Sequence, residues 1–379
     1  MGNLEGYRNE IDALDDKIAE LYKQRMEICR KVGEEKAKSN SPVNVAEREK
    51  NIINRVTKNV GDDIKVYTKQ LFTTLFNTSK AYQSSFADNT SQTVNRIKTA
   101  LSEGEKDFPV SATIACQGVQ GAFSALAAER LFPISEISYF KNFDGVFNAV
   151  EKGFCEFGVL PIENSTAGSV LAVYDLMIKH KFYIVKSIKL PVQHCIAGVK
   201  GSSLKNIRTI ISHEQALSQC KNIIKENNYD TVMCENTAVA ARKVAELKDI
   251  STAAICSEES AEIYGLTVLK GAVQDKSNNH TRFICISKNL NIYKNSDKIS
   301  IMVNVSHTPG SLNNILNRFA TLGVNLSKLE SRPLSNSDFE FLFYFDFDAD
   351  IRQREVLNLL AELDSSVRDF VFLGSYKQI

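Results

Sequence analysis

The N-terminal part of the chain has a helical pattern of apolar positions. In the first stretch, apolar residues recur at helical spacing: Leu4, Tyr7, Ile11, Leu14, Ile18, Leu21 and Ile28. This spacing predicts one long amphipathic helix that ends in the polar run 37–41 before Pro42. A second and a third helix are predicted by Val45, Ile52, Ile53 and Val56 and, after Gly61, by Ile64, Tyr67, Leu71 and Leu75. Three helices cannot bury so long an apolar stripe alone, so we expect a homodimer or a higher homo-oligomer.

The pattern changes twice further along the chain. Residues 89–110 are polar and lack a sustained apolar period, which predicts a linker. From Thr113, short apolar strands alternate with helices, which indicates an α/β layer of largely parallel strands. A second polar stretch at 288–298 predicts another linker before the C-terminal part.

The C-terminal residues 299–379 predict a compact module of their own. A strand, a helix over Ser311–Leu322, two strands, a helix over Arg352–Leu363 and a last strand follow in that order. The order βαββαβ is typical of the ferredoxin-like fold. Since that fold serves many functions, the order alone predicts none of them.

Composition excludes several classes of protein. The 379 residues carry 46 basic and 45 acidic side chains, a formal net charge of +1, which argues against a nucleic-acid-binding protein. No apolar run is long enough to span a bilayer, and the polar N-terminus lacks the apolar core of a signal peptide. The eight cysteines form no C-x-x-C pair and the five histidines show no ligand spacing. We therefore expect a cytoplasmic protein with reduced cysteines and no metal, with no partner among membranes or nucleic acids.

The helical segment carries cations with a defined spacing. Arg25 and Lys36 lie eleven positions apart, so they share a helix face about 16 Å apart along the axis and can hold an anion between them. Arg8 is rotated by about 100° from that face and can meet the same ligand only from another chain. Ser79 and Gln83 form an i,i+4 pair on the third helix. Taken alone, this pattern is more typical of a solvated charged face than of an anion site.

The residue types in this helical segment also form a recognisable motif. The run R-x2-I-D-A-L-D-x2-I-x2-L-x3-R, followed by V-G-x2-K and R-E, resembles the all-helical chorismate mutase domain. The resemblance implies one pocket formed by Arg25, Lys36, Arg48, Glu49, Ser79 and Gln83 and completed by Arg8 of a partner subunit. Such a pocket converts chorismate to prephenate by a rearrangement that needs positioning and charge stabilisation, here from Lys36 and Gln83, and no cofactor. Val45 departs from the family, many of whose members carry an acidic residue at that position.

The middle segment contains several polar loops next to predicted strand ends. Gly118–Ser124 follows a strand and opens a helix, where free backbone N–H groups favour an anion. Residues 163–166, Glu-Asn-Ser-Thr, repeat that arrangement, and Asn236 opens another helix. Ser212 and Gln215 are spaced as a capping box, with Gln219 one turn further on the same face. Polar helix starts beside strand ends are how an open α/β sheet forms a small anion site.

One further motif stands at the mouth of a strand. N-N-H-T-R-F at 278–283 places Thr281 and Arg282 side by side before the apolar run F-I-C-I-S. By itself this motif is an ordinary junction between a turn and a strand.

Together these motifs resemble prephenate dehydratase across 112–285. The resemblance implies two lobes around a cleft and a reaction that yields phenylpyruvate, carbon dioxide and water. Thr281 would then act on the departing hydroxyl and Arg282 would hold a carboxylate. The other implied substrate contacts are Glu163, Asn164, Ser165, Ser212 and Gln219.

Two loops of the C-terminal module resemble the ACT regulatory domain of the same enzymes. The first is Pro309-Gly310-Ser311-Leu312 and the second is Glu330-Ser331-Arg332-Pro333. The resemblance implies that Gly310, Ser311, Leu312, Glu330, Ser331, Arg332 and Pro333 bind phenylalanine between paired domains. Such binding would inhibit at a distance if it favoured a less active state.

The sequence therefore predicts a multidomain α and α/β protein. Its expected parts are an all-helical mutase domain at 1–88, a linker at 89–110, a two-lobed dehydratase domain at 111–287, a linker at 288–298 and a ferredoxin-like ACT domain at 299–379. Its expected small-molecule partners are chorismate, prephenate and phenylalanine. Two alternatives remain open at this point: dehydration of arogenate in place of prephenate, and an amino-acid sensor whose catalytic halves have decayed.

Overall fold

The computed structural model describes residues 4–39, 46–84, 91–276, 278–308, 310–333 and 341–379. Val45 and Pro309, which the sequence patterns single out, lie outside the described residues. No helix within the described ranges is long and apolar enough to cross a bilayer.

The N-terminal segment folds into the three predicted helices. They are α1 (Leu4–Ser39), α2 (Ala46–Thr57) and α3 (Asp62–Ser84). Helix α1 packs along α3, and α2 packs against the same helix. The apolar stripe that predicted α1 stays exposed along most of its length, with Leu14 at 55% and Leu21 at 64% exposure. One chain therefore leaves a long apolar face uncovered.

The expected linker 89–110 is wrong in part, because it contains a helix. This is α4 (Gln92–Ser102), capped at its start by the Ser91 hydroxyl, which accepts from the Val94 N–H. Val94 and Ile97 are fully buried. Leu101 packs against the same core and extends this face to an i, i+3, i+7 stripe, a short helical period within a polar stretch that the linker prediction overlooked.

The middle of the chain forms two lobes. The first lobe contains β1 (Ser111–Gln117), α5 (Phe123–Leu131), β2 (Ile134–Phe140), α6 (Phe143–Glu151), β3 (Phe157–Asn164), β4 (Gly168–Ser169), α7 (Leu171–His180) and β5 (Tyr183–Pro191). The second lobe contains β6 (Cys195–Gly198), β7 (Thr209–Ser212), α8 (Glu214–Gln219), α9 (Lys221–Glu226), β8 (Asp230–Met233), α10 (Thr237–Leu247), β9 (Thr252–Cys256), α11 (Glu258–Ile263) and β10 (Thr267–Lys270). Strand β11 (His280–Ser287) returns to the first lobe. The predicted two-lobed architecture is confirmed.

The strands of the two lobes are less uniform than the pattern predicted. Parallel pairing joins β1 to β2 and β3, and β7 to β8 and β9. Antiparallel pairing joins β11 to β3 and β5, and β6 to β9 and β10. The expectation of a largely parallel layer is therefore wrong. The reason is that β11 returns from the second lobe and enters the first sheet with the opposite direction.

The C-terminal module has the predicted ferredoxin-like order. Its elements are β12 (Lys298–Val305), α12 (Ser311–Thr321), β13 (Asn325–Pro333), β14 (Phe341–Asp348), α13 (Arg354–Ser366) and β15 (Phe370–Gln378). The four strands lie in the antiparallel order β13-β14-β12-β15. The expected second linker is also partly buried, since Ile292 and Tyr293 pack into the apolar cores on either side.

The module and the first lobe share one continuous sheet. Strand β15 pairs in parallel with β5 through Lys377 opposite Lys186 and Gln378 opposite Ser187. The resulting path is β13-β14-β12-β15-β5-β11-β3-β1-β2. Gly374 permits this junction, because its φ is +144° and a Cβ there would lie 2.1 Å from the Ile184 carbonyl oxygen. Strand β11 thus lies inside the sheet, next to the strand that meets the module.

Candidate active sites

A cavity of about 400 Å³ lies between the two lobes. The first lobe contributes Gln117, Phe123, Ser124, Asn164 and Thr281, and the second lobe and its connections contribute His194, His213, Gln215, Gln219, Asn236 and Thr237. The predicted set Asn164, Gln219 and Thr281 therefore meets in one place. The strand β11 that carries Thr281 is buried on both sides, which fixes the position of that hydroxyl.

The Thr281 hydroxyl has a defined orientation. The Asn164 Nδ2 group donates to Thr281 Oγ1 at 2.9 Å. The Asn164 Oδ1 atom accepts from the backbone N–H groups of Thr166 and Ala167 at 3.0 and 2.9 Å. Since a backbone N–H can only donate, the Asn164 carboxamide has one possible orientation. Thr281 Oγ1 must accept from it, so the Thr281 proton is available to a partner in the cavity.

Gln219 faces the same cavity from the second lobe and is held by two contacts. Its Oε1 accepts from Asn279 Nδ2 at 3.0 Å and meets His194 Nε2 at 3.3 Å. Burial lowers the pKa of His194, although the hydrogen bond to Gln219 opposes that shift. A neutral imidazole fits this contact when Nε2 carries its proton.

Two helix starts face the cavity, as predicted for Gly118–Ser124 and Asn236. Phe123 and Ser124 begin α5, and Asn236 caps α10 by accepting from the Val239 N–H at 2.8 Å. The loop before α5 also touches the second lobe, since the Ser260 hydroxyl donates to the Gly121 carbonyl at 2.8 Å. Both helix N-termini place partial positive charge where an anionic substrate would bind.

Ser212 does not reach the cavity. Its hydroxyl is fully buried and donates to the Ile255 carbonyl at 2.6 Å. The predicted capping box is also absent, because His213 caps α8 by accepting from the Gln215 N–H. The sequence spacing was right for a cap, but the helix begins one residue later than that spacing assumed. Asn164 likewise ends a strand and organises a turn, whereas the pattern placed it at a helix start.

Arg282 points away from Thr281, which corrects the expectation that it holds a substrate carboxylate in the same cleft. Neighbouring residues in a strand project to opposite faces of the sheet. The Arg282 guanidinium pairs with the fully buried carboxylate of Asp346 and donates to the Tyr376 hydroxyl at 2.5 Å. Both partners belong to the C-terminal module. Arg282 therefore ties β11 to that module.

Glu163 and Ser165 lie beside Arg282 and also outside the cleft. Glu163 pairs with Lys328 of β13, and its other oxygen lies 3.7 Å from Arg282. The Ser165 hydroxyl donates to the Asn278 carbonyl at 3.2 Å and accepts from the His280 N–H at 3.0 Å. Both residues line a separate cavity of about 720 Å³ between the first lobe and β13. Ser165 thus holds the loop that leads into β11.

The helical segment brings part of its predicted set together. Arg25 donates to the Ser79 hydroxyl and to the Leu75 carbonyl, the latter at 3.1 Å. Glu49 forms an ion pair of 3.0 Å with Lys80, a residue that the sequence patterns did not single out. Arg48 is exposed beside a groove of about 510 Å³ along α2. The buried Oε1 of Gln83 has no hydrogen-bond partner among the described residues.

Arg8 is separated from this group. It is exposed near the start of α1, 17 residues before Arg25, which corresponds to about 25 Å along a helix. Lys36 lies about 16 Å beyond Arg25 in the other direction. A single chain therefore holds Arg25 against Ser79 and Glu49 against Lys80 but leaves Arg8 remote from both pairs.

Comparison with known proteins agrees with this division of the chain. The family model for prephenate dehydratase matches residues 114–291, and the model for chorismate mutase type II matches residues 7–84. The bifunctional chorismate mutase/prephenate dehydratase of Escherichia coli (strain K12) is 30% identical over 382 residues, which cover 97% of this chain and 95% of that protein. The chain belongs to the bifunctional chorismate mutase/prephenate dehydratase family.

Other relatives match about 70% of the chain. The chloroplastic arogenate dehydratase/prephenate dehydratase 2 of Arabidopsis thaliana is 35% identical over 293 residues, covering 74% of this chain and 76% of that protein. A structure of prephenate dehydratase in complex with L-Phe from Arthrobacter aurescens has a TM-score of 0.64 and 30% identity. It covers 70% of this chain and 89% of its own.

Within this family assignment, the motif residues of the C-terminal module divide into two groups. Gly310, with a φ of +86°, begins α12, and Leu312 lines a cavity of about 320 Å³ with Phe341 and Phe343. The Ser311 hydroxyl lies 2.5 Å from that of Thr308.

The second motif lies on the edge strand β13 and faces two ways. Glu330 accepts from the Ser169 hydroxyl at 2.8 Å, and Arg332 donates to Asp175 at 2.5 Å, both in the first dehydratase lobe. Ser331 and Pro333 alternate with them and are exposed. The motif therefore combines a contact with the dehydratase and an open strand edge.

Sequence reasoning missed several polar residues in and beside the dehydratase cleft, among them Asn279 and His194. Asn279 stands inside the quoted N-N-H-T-R-F motif, so its neighbours could have drawn attention to it. His194 follows Pro191-Val192-Gln193 with no local pattern that distinguishes it from a core histidine. Its role depends on contacts with residues far away in the chain.

Proposed function

We infer that the chain catalyses two successive reactions of phenylalanine biosynthesis. The helical domain converts chorismate to prephenate, and the two-lobed domain converts prephenate to phenylpyruvate, carbon dioxide and water. The observation that carries this inference is the burial of Thr281 beside Asn164 in a cleft of a chain that aligns almost end to end with a bifunctional relative.

The dehydratase geometry supports a definite assignment of roles. When the ring C–C bond to the departing carboxylate breaks, its electron pair enters the ring and carbon dioxide leaves. The ring hydroxyl leaves with its bonding pair and takes up a proton, so the reaction consumes one proton overall. The Thr281 hydroxyl, which accepts from Asn164, donates toward the leaving group. Because an alcohol is a weak acid, Thr281 mainly orients the leaving hydroxyl while aromatisation drives the step.

The anionic groups of prephenate need other partners than Arg282. The helix starts at Phe123 and Asn236 offer backbone N–H groups, and Gln219 offers a side-chain amide. We assign the substrate carboxylates to these neutral donors, which are strong where water is excluded.

The mutase reaction is proposed to need a second copy of the chain. The exposed apolar stripe of α1 and the remote Arg8 support this proposal, since a partner helix would cover the stripe and bring its own Arg8 to the pocket. In that pocket Arg25, Lys36 and Arg48 would hold the substrate carboxylates. Lys36 and Gln83 would stabilise the charge that builds on the ether oxygen.

We propose that the C-terminal module is an ACT domain that senses phenylalanine and inhibits the enzyme. Its ferredoxin-like order, the left-handed Gly310 and the open edge of β13 support this role. The ion pairs of Arg282, Glu163 and Arg332 give the module direct contact with the dehydratase. Dehydratase activity measured against added phenylalanine should fall, and a flat response would contradict the regulatory proposal.

Assays on separate substrates test the catalytic proposal. Purified protein should convert chorismate to phenylpyruvate and should also convert prephenate supplied directly. Turnover of neither substrate would indicate a sensor with decayed catalytic domains. The Arabidopsis relative named for both dehydratase activities keeps arogenate as the alternative substrate. Competition between prephenate and arogenate in one reaction decides which is preferred.

We also propose the domain limits 1–88, 111–287 and 299–379 and a cytoplasmic location. All eight cysteines are unpaired, as expected where thiols stay reduced. Limited proteolysis that released a stable fragment starting near residue 89 would support the first limit.

A further inference from the structure

Asn279 occupies the point where the two dehydratase lobes meet. It is 3% exposed and precedes β11 on the segment that returns from the second lobe. Its backbone carbonyl accepts from the Val192 N–H at 2.8 Å, on the segment that leaves for the second lobe. The two segments that connect the lobes therefore meet at this residue.

The side chain of Asn279 joins the two lobes by hydrogen bonds of opposite sense. Its Oδ1 accepts from Asn164 Nδ2 at 2.8 Å and from the Thr166 hydroxyl at 3.3 Å, both in the first lobe. Its Nδ2 donates to Gln219 Oε1 at 3.0 Å, in the second lobe. A carboxamide has one accepting and one donating end, so each end faces one lobe.

The sense of these bonds is fixed from one end. The backbone N–H groups of Thr166 and Ala167 orient Asn164, which must then donate to Asn279 Oδ1. Asn279 must in turn donate to Gln219 Oε1. The Nε2 group of Gln219 is thereby left to donate elsewhere, and Gln219 lines the substrate cavity.

We propose that Asn279 is a positioning residue of the dehydratase, which orients the Gln219 amide so that its N–H groups face the anionic substrate. The proposal rests on the dehydratase function inferred above. The same chain of bonds leaves the Thr281 proton available, because Asn164 donates to both Thr281 and Asn279. The turn after β3 thus orients two hydrogen-bond donors, Thr281 in the first lobe and, through Asn279, Gln219 in the second.

Replacing Asn279 by Asp keeps the shape of the side chain but replaces the N–H donor that faces Gln219 with an oxygen acceptor. The introduced carboxylate still accepts from Asn164, but its second oxygen faces Gln219 Oε1. Gln219 must then rotate to donate to the carboxylate, and its own oxygen turns toward the substrate anion. We expect kcat/KM for prephenate to fall by about 100-fold at pH 8, mainly through KM, as when a bond to a charged group is lost.

The pH profile of Asn279→Asp distinguishes orientation from packing. A protonated carboxyl restores an O–H donor toward Gln219, and burial raises the pKa of a carboxyl group. The ratio of variant to wild-type kcat/KM should therefore rise as the pH falls through that pKa. The ionisable groups around this position are His194 at the same Gln219 oxygen, His280 next in the chain, and Asp275, whose carboxylate binds the N–H groups of Lys221 and Asn222. They are present in both proteins, so the ratio isolates the new carboxyl.

Two further variants serve as controls. Asn279→Leu removes both bonds without adding charge, so its activity should fall by about tenfold and its ratio to wild type should not change with pH. Asn278→Asp adds the same charge to an exposed side chain next in the chain and should keep wild-type kinetics. Urea unfolding followed by circular dichroism in the same samples reports whether each variant is folded.

The outcomes separate this inference from the function on which it rests. A recovery of Asn279→Asp at low pH that Asn279→Leu lacks supports the proposed orientation. The proposal would be overturned if Asn279→Asp and Asn279→Leu lost equal kcat/KM and both ratios to wild type stayed constant with pH. A wild-type KM in Asn279→Asp would also overturn it. A wild-type protein that fails to turn over prephenate would instead overturn the proposed dehydratase function.

Discussion

In the dehydratase cleft, Thr281, Asn164, Asn279 and Gln219 come from two lobes of one chain and are already joined by hydrogen bonds. In the helical domain, Arg25 meets Ser79, but Arg8 lies remote and a long apolar stripe is exposed. The cleft between the lobes is lined by residues of one chain, whereas the helical site, as proposed above, would be completed by a second chain. The two activities should therefore respond differently to the same changes.

A change at Thr281 should separate the two activities most clearly. Replacing it with Val removes the hydroxyl and keeps the branched shape, so dehydratase kcat should fall by about 10²- to 10⁴-fold. Mutase turnover should persist, because its residues lie in another domain. Steady-state assays on prephenate and chorismate measure both. Thr267→Val on the exposed edge strand β10 is the matched control, and equal loss of both activities in Thr281→Val would contradict separate sites.

A change in the helical domain should affect the mutase reaction alone. Arg25→Ala removes a cation held by Ser79 and should lower mutase kcat/KM by about 10²- to 10³-fold while prephenate turnover stays unchanged. Arg30→Ala, whose exposed side chain pairs with Glu34 on the same helix, should have little effect. A comparable fall in both arginine variants would mean that the helical face binds substrate only through its overall charge.

The ion pair that joins β11 to the C-terminal module should contribute to the free energy of unfolding. Asp346→Asn removes the charge that the buried Arg282 needs, so the free energy of unfolding should fall by about 3 kcal/mol. Asp107→Asn breaks the exposed pair with Lys294 and should cost less than about 1 kcal/mol. Urea unfolding followed by circular dichroism compares the two variants. Equal costs would show that the Arg282 pair adds no rigidity beyond that of a surface pair.

The smallest expected effect tests the need for a second chain. Leu14→Glu places charge on the apolar stripe and should weaken association, so mutase activity should fall by about tenfold at low protein concentration. Dehydratase activity should not change. Asp16→Lys, about 200° away on α1, is the control. Light scattering gives the mass, and a monomeric variant with full mutase activity would contradict a mutase site completed by a second chain.

Much of this architecture follows from local pattern. The helical spacing from Leu4 to Ile28 predicts α1, and the order of apolar runs after residue 298 predicts the C-terminal module. The helix and the module depend on residues close together in the chain, where periodicity carries the information. Thr281 is instead identified through the resemblance of its motif to prephenate dehydratase, because the local pattern alone is typical of an ordinary junction between a turn and a strand.

What was missed depends on contacts between distant residues. Arg282 finds Asp346 and Tyr376 across 64 and 94 positions, and no local pattern shows which face of β11 meets the module. Ser212 is held by the Ile255 carbonyl of a neighbouring strand. Helix α4 was missed although Val94, Ile97 and Leu101 show a short helical period, because three apolar positions in a polar stretch are a weak signal and their burial depends on the C-terminal module.

The junction of β15 with β5 has a mechanical consequence. Because one sheet runs from the edge of the C-terminal module to β2, that module and the first lobe form a stiff wall with Thr281 set into it. The five-stranded second lobe is joined to this wall by two connecting segments that meet at Asn279. We therefore expect the cleft to open by movement of the smaller second lobe relative to this sheet, and a ligand bound to the module would act on the cleft through the shared sheet.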